Sequence, residues 1–250
     1  PHGGPPVPSR PRETPERDIE ILFIGNIARA DGPAVHASSL YGSDPALVAL
    51  FVTSFENLTP DKTPFQVTLE TARGMANAYR RKDVALVAVH LEVYLSNVSR
   101  LQTLESLKGL GVTVVGEVAE QALGTGSDIR ALGFHPFAAC LDLIGRAKIL
   151  VNIVPSFPNG AHERIFYALS RGTAVMTTRS TFLEADRLAH GFIEFFDIAD
   201  KNIREESIAL RDNLDRDGLD HDAMSRHYEN HHTWGQRLEP ILNHLREKHG

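Results

Sequence analysis

The chain has 250 residues, of which 42% are hydrophobic and 23% charged, with a formal charge of −6. That length and balance fit one large α/β domain or two small ones around a buried core. An acidic balance with no run of Lys or Arg excludes a nucleic-acid footprint, no apolar run is read as a membrane span, and no signal peptide is visible, so a cytoplasmic setting is expected.

Residues 1–17 hold six of the fourteen prolines and almost nothing apolar, which predicts a disordered linker or tail that cannot offset its own ordering entropy. A linker running straight into a strand suggests a further segment upstream. Ile19–Ile24 (IEILFI) is a buried strand closed by Gly25-Asn26. The next hundred residues are mainly helical. Helices are predicted over Asp44–Phe55, over Thr63 to Arg80 with Pro64 in its first turn, and over Val84–Leu107, although the opening VALVAV also fits a strand. Gly109 and Gly111 precede a short strand, Val112–Val115, ending at Gly116.

A Gly-rich loop (Leu123–Ser127), an extended piece around Ile129–Phe134 and a helix over Pro136–Arg146 follow. Cys140, the single cysteine, lies in the apolar run FAACLDLI and is read as packing; alone it excludes an internal disulfide and a cysteine-based zinc site. Lys148 to Thr178 then gives a buried strand (Ile149–Val154), a Pro/Gly loop (Pro155–Gly160), a helix opening near Ala161, a stop at Gly172 and a strand from Ala174 to Thr177. A helix over Thr181–Ala189, a strand over Phe192–Phe196 and a helical tail from Ile203 to His249 complete the chain, the tail broken around Arg216–Gly218 and near Trp234–Gly235. Short apolar strands alternating with helices predict a Rossmann-like α/β fold, a parallel sheet covered on both faces.

Ligands of such sheets sit outside the carboxyl ends of the strands. Three ends carry polar or Gly residues: Gly25-Asn26, Gly116-Glu117, and Asn152 through Gly160. Each alone reads as a turn; together they point to a shared crevice. A strand–loop–helix step presents backbone N–H groups to phosphate, and here the helix opens with His162, Glu163 and Arg164. Glu163 complements the helix dipole or pairs on a solvated face. Arg164 opposes the dipole, so an anion such as a diphosphate supplies the better reason for it. His162 is a phosphate donor, a proton carrier or a polar closure of the loop.

Gly124-Thr125-Gly126 is only a fragment of a phosphate loop. His227, His231 and His232 with Asp220 and Asp222 lack a third ligand at fixed spacing and read as a helical face. No Ser nucleophile elbow and no full P-loop occur.

VNIVPSFPNGAHERIFYALSRGTAVMTT resembles the donor-binding segment of group 1 glycosyltransferases, in their CgeB-like branch. Arg100–Gly116 is similar to that group's Arg-helix-strand-Gly unit, Phe134–Ala147 to its short helix before the next strand, and His232–Leu242 to its closing helix. The resemblance implies the C-terminal, donor-binding domain of a GT-B fold, a metal-independent hexosyltransferase-like enzyme with a UDP- or GDP-sugar donor and no cofactor. By position, base and ribose lie near Gly116, Glu117 and Phe134, and the diphosphate near Asn159, Gly160, His162, Glu163 and Arg164, with Tyr167 close by and Gly25 and Asn26 lining the cleft. His162 and Arg164 are the expected catalytic pair, acting on the leaving group. An N-terminal acceptor domain is expected as a partner outside this chain, and the helical tail is expected to pack on it or on a second copy.

The chain departs from the pattern twice. Tyr167 stands where many of these enzymes carry the ribose-binding acid, and the stretch between Gly25 and Arg100 is much longer than the family's, which implies a helical insertion over approximately 30–95 within one nucleotide-sugar-binding domain, 18–250. The alternative is a non-catalytic ligand-binding or scaffolding domain. A nucleotide-sugar epimerase is a third reading, for which the needed acids and histidines are not identifiable.

Overall fold

The computed structural model describes residues 16–59, 61–119, 122–124, 127–153, 160–185, 191–198, 202–217 and 221–249. Strands β1 (Ile19–Ile24), β2 (Val112–Val115), β3 (Arg130–Ala131), β4 (Ala147–Asn152), β5 (Ala174–Thr178) and β6 (Ile193–Phe196) form one sheet in the order β3-β2-β1-β4-β5-β6. Every neighbouring pair is parallel. In register, Ile21 lies between Val112 and Ile149, and Ile149 faces Ala174 on its other side. This is the doubly wound Rossmann order.

The chain leaves β1 toward β2 and β3, then restarts at β4 and moves the other way. The topological switch point therefore falls between β1 and β4. Right-handed crossovers in opposite directions place the connecting helices on opposite faces. One face carries α4 (Arg81–Ser106) and α8 (Ile203–Asp217); the other carries α5 (Phe137–Arg146), α6 (Glu163–Ser170) and α9 (His221–His231). Burial on both faces explains the continuous apolar runs of β1, β2 and β4. Leu22, Val114, Leu150 and Val175 pack with Leu104 of α4, Phe166 and Leu169 of α6, Leu210 of α8 and Met224 and Tyr228 of α9.

Between β1 and β2 lie α1 (Pro33–Tyr41), α2 (Pro45–Glu56) and α3 (Pro64–Gly74), followed by α4. They enclose a second core of Ala37, Tyr41, Leu50, Phe51, Val87, Leu91 and Tyr94. Asp44 caps α2 by accepting from the N–H groups of Ala46 and Leu47, and Thr63 with Gln66 forms a capping box at α3. α4 serves both cores, its first half in this unit and Leu104 against the sheet.

Several expectations need correction. VALVAV is helical: Val84, Val87 and Ala88 are buried while Ala85 and Leu86 face outward, a period of 3.6 and not 2. The helix expected to reach Arg80 ends at Gly74, where Met75 turns extended and the Tyr79 hydroxyl folds back to donate to the Ala46 carbonyl (3.0 Å). No separate helix was expected over α1, whose PAVHASSLY carries little apolar pattern among its Ala and Ser residues. α4, at 26 residues, is long and apolar enough by length and composition to cross a membrane, which no apolar run in the sequence had suggested; here its buried stripe packs on α2 and α3, with Leu104 in the core of the sheet. The helix α7 spans only Thr181–Glu184, and the end of the one expected there lies outside the described residues.

Arg17, placed in the expected linker, belongs to the fold. Its guanidinium donates to the carbonyls of Ala147, Arg171 and Gly172 and to Thr173 Oγ1, sealing the amino ends of β4 and β5. Burial pulls its pKa down to about 10. Gly172 is required here: its φ is +65°, and a Cβ would sit 2.7 Å from the His221 carbonyl oxygen. Residues 1–15, most of the expected linker, lie outside the described residues. The tail helix α10 (Trp234–His249) keeps Trp234, Leu238, Ile241, Leu242 and Leu245 partly exposed.

Candidate functional site

The carboxyl end of β1 is locked to that of β2. Gly25 N–H donates to the Val115 carbonyl (2.8 Å), and Asn26 Oδ1 accepts from Glu117 N–H (3.0 Å). Ile27 N–H donates to the Glu117 carbonyl and Ala119 N–H to that of Ile27, each at 2.8 Å. Gly116 makes this closeness possible: at φ +138° its absent Cβ would lie 2.4 Å from the Gly25 carbonyl oxygen. Gly116 N–H also donates to the Gly133 carbonyl (2.9 Å), which draws the loop carrying Phe134 to the same edge. Thus the expected cluster of Gly25, Asn26, Gly116 and Glu117 exists, with Phe134 beside it.

Two α4 side chains clamp the loop after β1. Asn97 behaves as a strand would, accepting from Ala28 N–H (2.9 Å) and donating to the Ala28 carbonyl (2.7 Å). One turn on, Arg100 donates to the Asn26 carbonyl (3.1 Å). Sequence reading named neither as a site residue, because each reaches the edge through tertiary packing. The one available signal was their spacing, which puts both on a single helix face.

On the other side of the switch point, β4 ends at Asn152, whose Nδ2 donates to Thr177 Oγ1 (3.0 Å) while Oδ1 is buried without a hydrogen-bond partner. The loop residue Asn159 and the rest of 154–159 lie outside the described residues, as do Thr125 and Gly126 of the Gly-rich loop and Asp220. Gly160 accepts from the Ser180 hydroxyl. His162 is the N-cap of α6, its Nδ1 accepting from Arg164 N–H at 3.2 Å. The neutral ring therefore carries its proton on Nε2. Glu163 is exposed in the first turn, the dipole-complementing position.

Arg164 is half-buried, and its guanidinium forms no hydrogen bond or ion pair with a described residue. Its pKa is lowered by burial first and by the charge of Arg100 second, with Glu163 and Cys140 acting the other way. Burial also lowers Arg100. Arg100, held on the Asn26 carbonyl after β1, and Arg164, in the first turn of α6 after β4, thus stand on either side of the switch point, neither in an ion pair with a described carboxylate. Burying like charges together is unfavourable unless an anion joins them. An anion with two acceptor groups fits best, because each planar fork can bind bidentately.

Tyr167 lies one turn beyond Arg164 and is half-buried, its ring edge-on to Phe137 at the start of α5 (centroids 5.3 Å). Its pKa is raised by burial and then by Glu163. Cys140 is half-buried on α5, its thiol raised by burial and drawn back by Arg164, in keeping with the packing role expected of it. His227 and His232 are buried with Nε2 atoms 3.3 Å apart, and among the described residues no group of three or more metal-ligating side chains converges.

The part of the chain that builds this edge has a counterpart among known proteins. A family model described as glycosyl transferase-like matches residues 98–243, more than half of the chain, including Arg100 and Arg164. The chain belongs to that family. A comparison with curated proteins gave no match. Among solved structures, the crystal structure of Alr3699/HepE from Anabaena in complex with UDP aligns over 92% of this chain and 100% of that one, with a TM-score of 0.43 and 11% identity.

Proposed function

We propose that this domain binds a nucleoside-diphosphate sugar of the UDP or GDP type and acts as a metal-independent glycosyltransferase of the GT-B kind. The carrying observation is the placement of two half-buried arginines at the switch point of the sheet, Arg100 on the Asn26 carbonyl after β1 and Arg164 in the first turn of α6 after β4, neither in an ion pair with a described residue. The diphosphate lies between the two guanidinium groups and the N-terminus of α6, with the nucleoside directed toward Gly116, Glu117 and Phe134. In the transfer, the bond between the anomeric carbon and the diphosphate oxygen breaks and its electron pair stays on the diphosphate. Arg164, Arg100 and the α6 N–H groups stabilise that developing charge, and His162 Nε2–H is a further donor. The acceptor hydroxyl forms the new bond, and its proton goes to a base supplied with the acceptor by a partner domain.

Calorimetric titration with UDP, GDP and their sugar conjugates tests this. Arg164→Ala is expected to weaken UDP binding by at least ~1.5 kcal/mol, about tenfold, the loss of a charge-assisted hydrogen bond. Unchanged affinity removes Arg164 from the site. A non-catalytic ligand-binding or scaffolding role is the second reading, favoured by the tyrosine at 167. Binding without any donor hydrolysis or transfer, even with acceptor domain supplied, would support it.

A further inference from the structure

α4 is more apolar than its packing requires. Of its most apolar 18-residue stretch only 33% is buried. Val84, Val87, Ala88, Leu91 and Tyr94 occupy its inward face, whereas Leu86, Val89 and Val93 are 44%, 57% and 61% exposed. These three stand at i, i+3 and i+7, one line along the outside of the helix. The same line passes Ser96 and reaches Arg100 at i+14. α1 packs beside it: His36 lies against Tyr94 (ring centroids 4.7 Å), and the Tyr41 hydroxyl is hydrogen-bonded to His90 Nδ1 (2.6 Å). Leu40, next to Tyr41, is exposed as well.

The loop after β1 ties this helix to the candidate site. It runs against α4 with a contact at each turn: Arg100 to the Asn26 carbonyl, Asn97 to both backbone groups of Ala28, and the Tyr94 hydroxyl to the Asp31 carbonyl (2.9 Å). Leu86 lies 14 residues before Arg100, about 21 Å of helix rise. A molecule with its polar end at Arg100 can therefore lay an apolar chain of that length along Val93, Val89 and Leu86. These few side chains fall far short of the roughly 20–30 residues a side of a stable protein interface, and exposed Lys82 and Glu92 interrupt the surface around them. That width suits a single chain and not a folded partner.

Resting on the reading of Arg100 and Arg164 as the diphosphate site of a sugar-transfer domain, we propose that the outer face of α4 binds the apolar chain of the acceptor. The acceptor is then of the lipid type, a hydroxyl-bearing polar head on an alkyl or isoprenoid chain. Its head lies at the carboxyl edge of the sheet, beside the donor, and its chain follows Val93, Val89 and Leu86 outward. A buried methylene strengthens binding by up to about fourfold, so affinity rises with chain length while the head stays the same.

The test measures binding of hexyl and octyl β-glucoside, each below its micelle concentration and with UDP saturating, by calorimetry. The octyl compound is expected to bind up to about tenfold more tightly than the hexyl one. Val89→Asp and Val93→Asp should abolish that difference while UDP affinity stays within about twofold. Both positions are exposed, so unchanged melting curves are expected to accompany the loss. Equal affinity of the unaltered chain for the two glucosides overturns the proposal, as does a chain-length dependence that survives both variants. A dimer that dissociates on either substitution, followed by sedimentation velocity, assigns the face to a second copy and overturns it too. Titration with UDP alone keeps the two readings apart. Absent UDP binding removes the diphosphate site and this inference with it, whereas lost chain-length dependence with UDP bound overturns only the acceptor face.

Discussion

The helical unit of α1, α2, α3 and the first half of α4 and the carboxyl edge of the sheet are built from the same chain under opposite rules. In the helical unit Asp44, the Thr63–Gln66 box and the Arg80–Asp83 pair close three successive helix starts, and Phe51 packs among the rings of His36, Tyr41 and Tyr94. At the sheet edge α5 starts at Pro136 with no side-chain cap. There Asn152 Oδ1 is unpartnered, as Ser54 Oγ is in the helical unit, and two half-buried arginines, Arg100 and Arg164, stand without an ion pair to a described residue. Local agreement among capping, packing and charge marks a region selected for its own stability. Unpaired charge at a topological switch point is what the proposed diphosphate ligand would satisfy.

Substitutions can break that comparison. The largest stability loss is expected in the helical unit, where Phe51→Ala should cost about 3–5 kcal/mol in urea unfolding; a loss under about 1 kcal/mol would mean that its core is not tightly packed. At the edge, Gly116→Ala should cost about 2–3 kcal/mol, because both its backbone angle and the Gly25 carbonyl reject a side chain. It should also weaken UDP binding by separating the β1 and β2 loops. Arg164→Gln is expected to move the other way, leaving stability unchanged or raising it by up to about 1 kcal/mol while ligand affinity falls. Clear destabilisation by that change would show that the arginine holds the fold.

The sequence made some of this visible. Strands buried on both faces announce themselves by unbroken apolar runs, so β1, β4 and β5 were legible, as was the Gly172 stop, where only glycine fits. β3 was legible only as an extended piece, since two residues carry no periodicity. Arg164 could be suspected because it sits against the dipole of its own helix. Arg100 could not be read as part of the candidate site, nor could Asn97, because what places them there is a contact with the loop after β1. Phe137 looked like an ordinary helix residue, and only its exposure and its meeting with Tyr167 set it apart. His162 was read as a phosphate donor, a proton carrier or a polar closure of the loop, and the structure gives its Nδ1 the capping of α6.

The smallest expected effect sharpens the same contrast through pH. His36 lies in the helical unit against Phe51 and Tyr94, with ring centroids at 5.8 and 4.7 Å. Burial lowers its pKa, the nearby His90 lowers it further, and Asp31 partly opposes them. The unfolded chain, with an ordinary histidine value of about 6.5, therefore takes up a proton before the folded chain does. Stability from this group is complete above about pH 6.5 and is lost as the pH falls through the lower folded-state value. His36→Gln should flatten that part of the unfolding profile, measured by urea titration between about pH 5 and 7, without altering UDP affinity at any pH in the range. An equal slope in the variant would remove His36 as the source. A matching change in ligand affinity would show that the helical unit and the sheet edge are coupled through α4, and the two regions would then have to be treated as one.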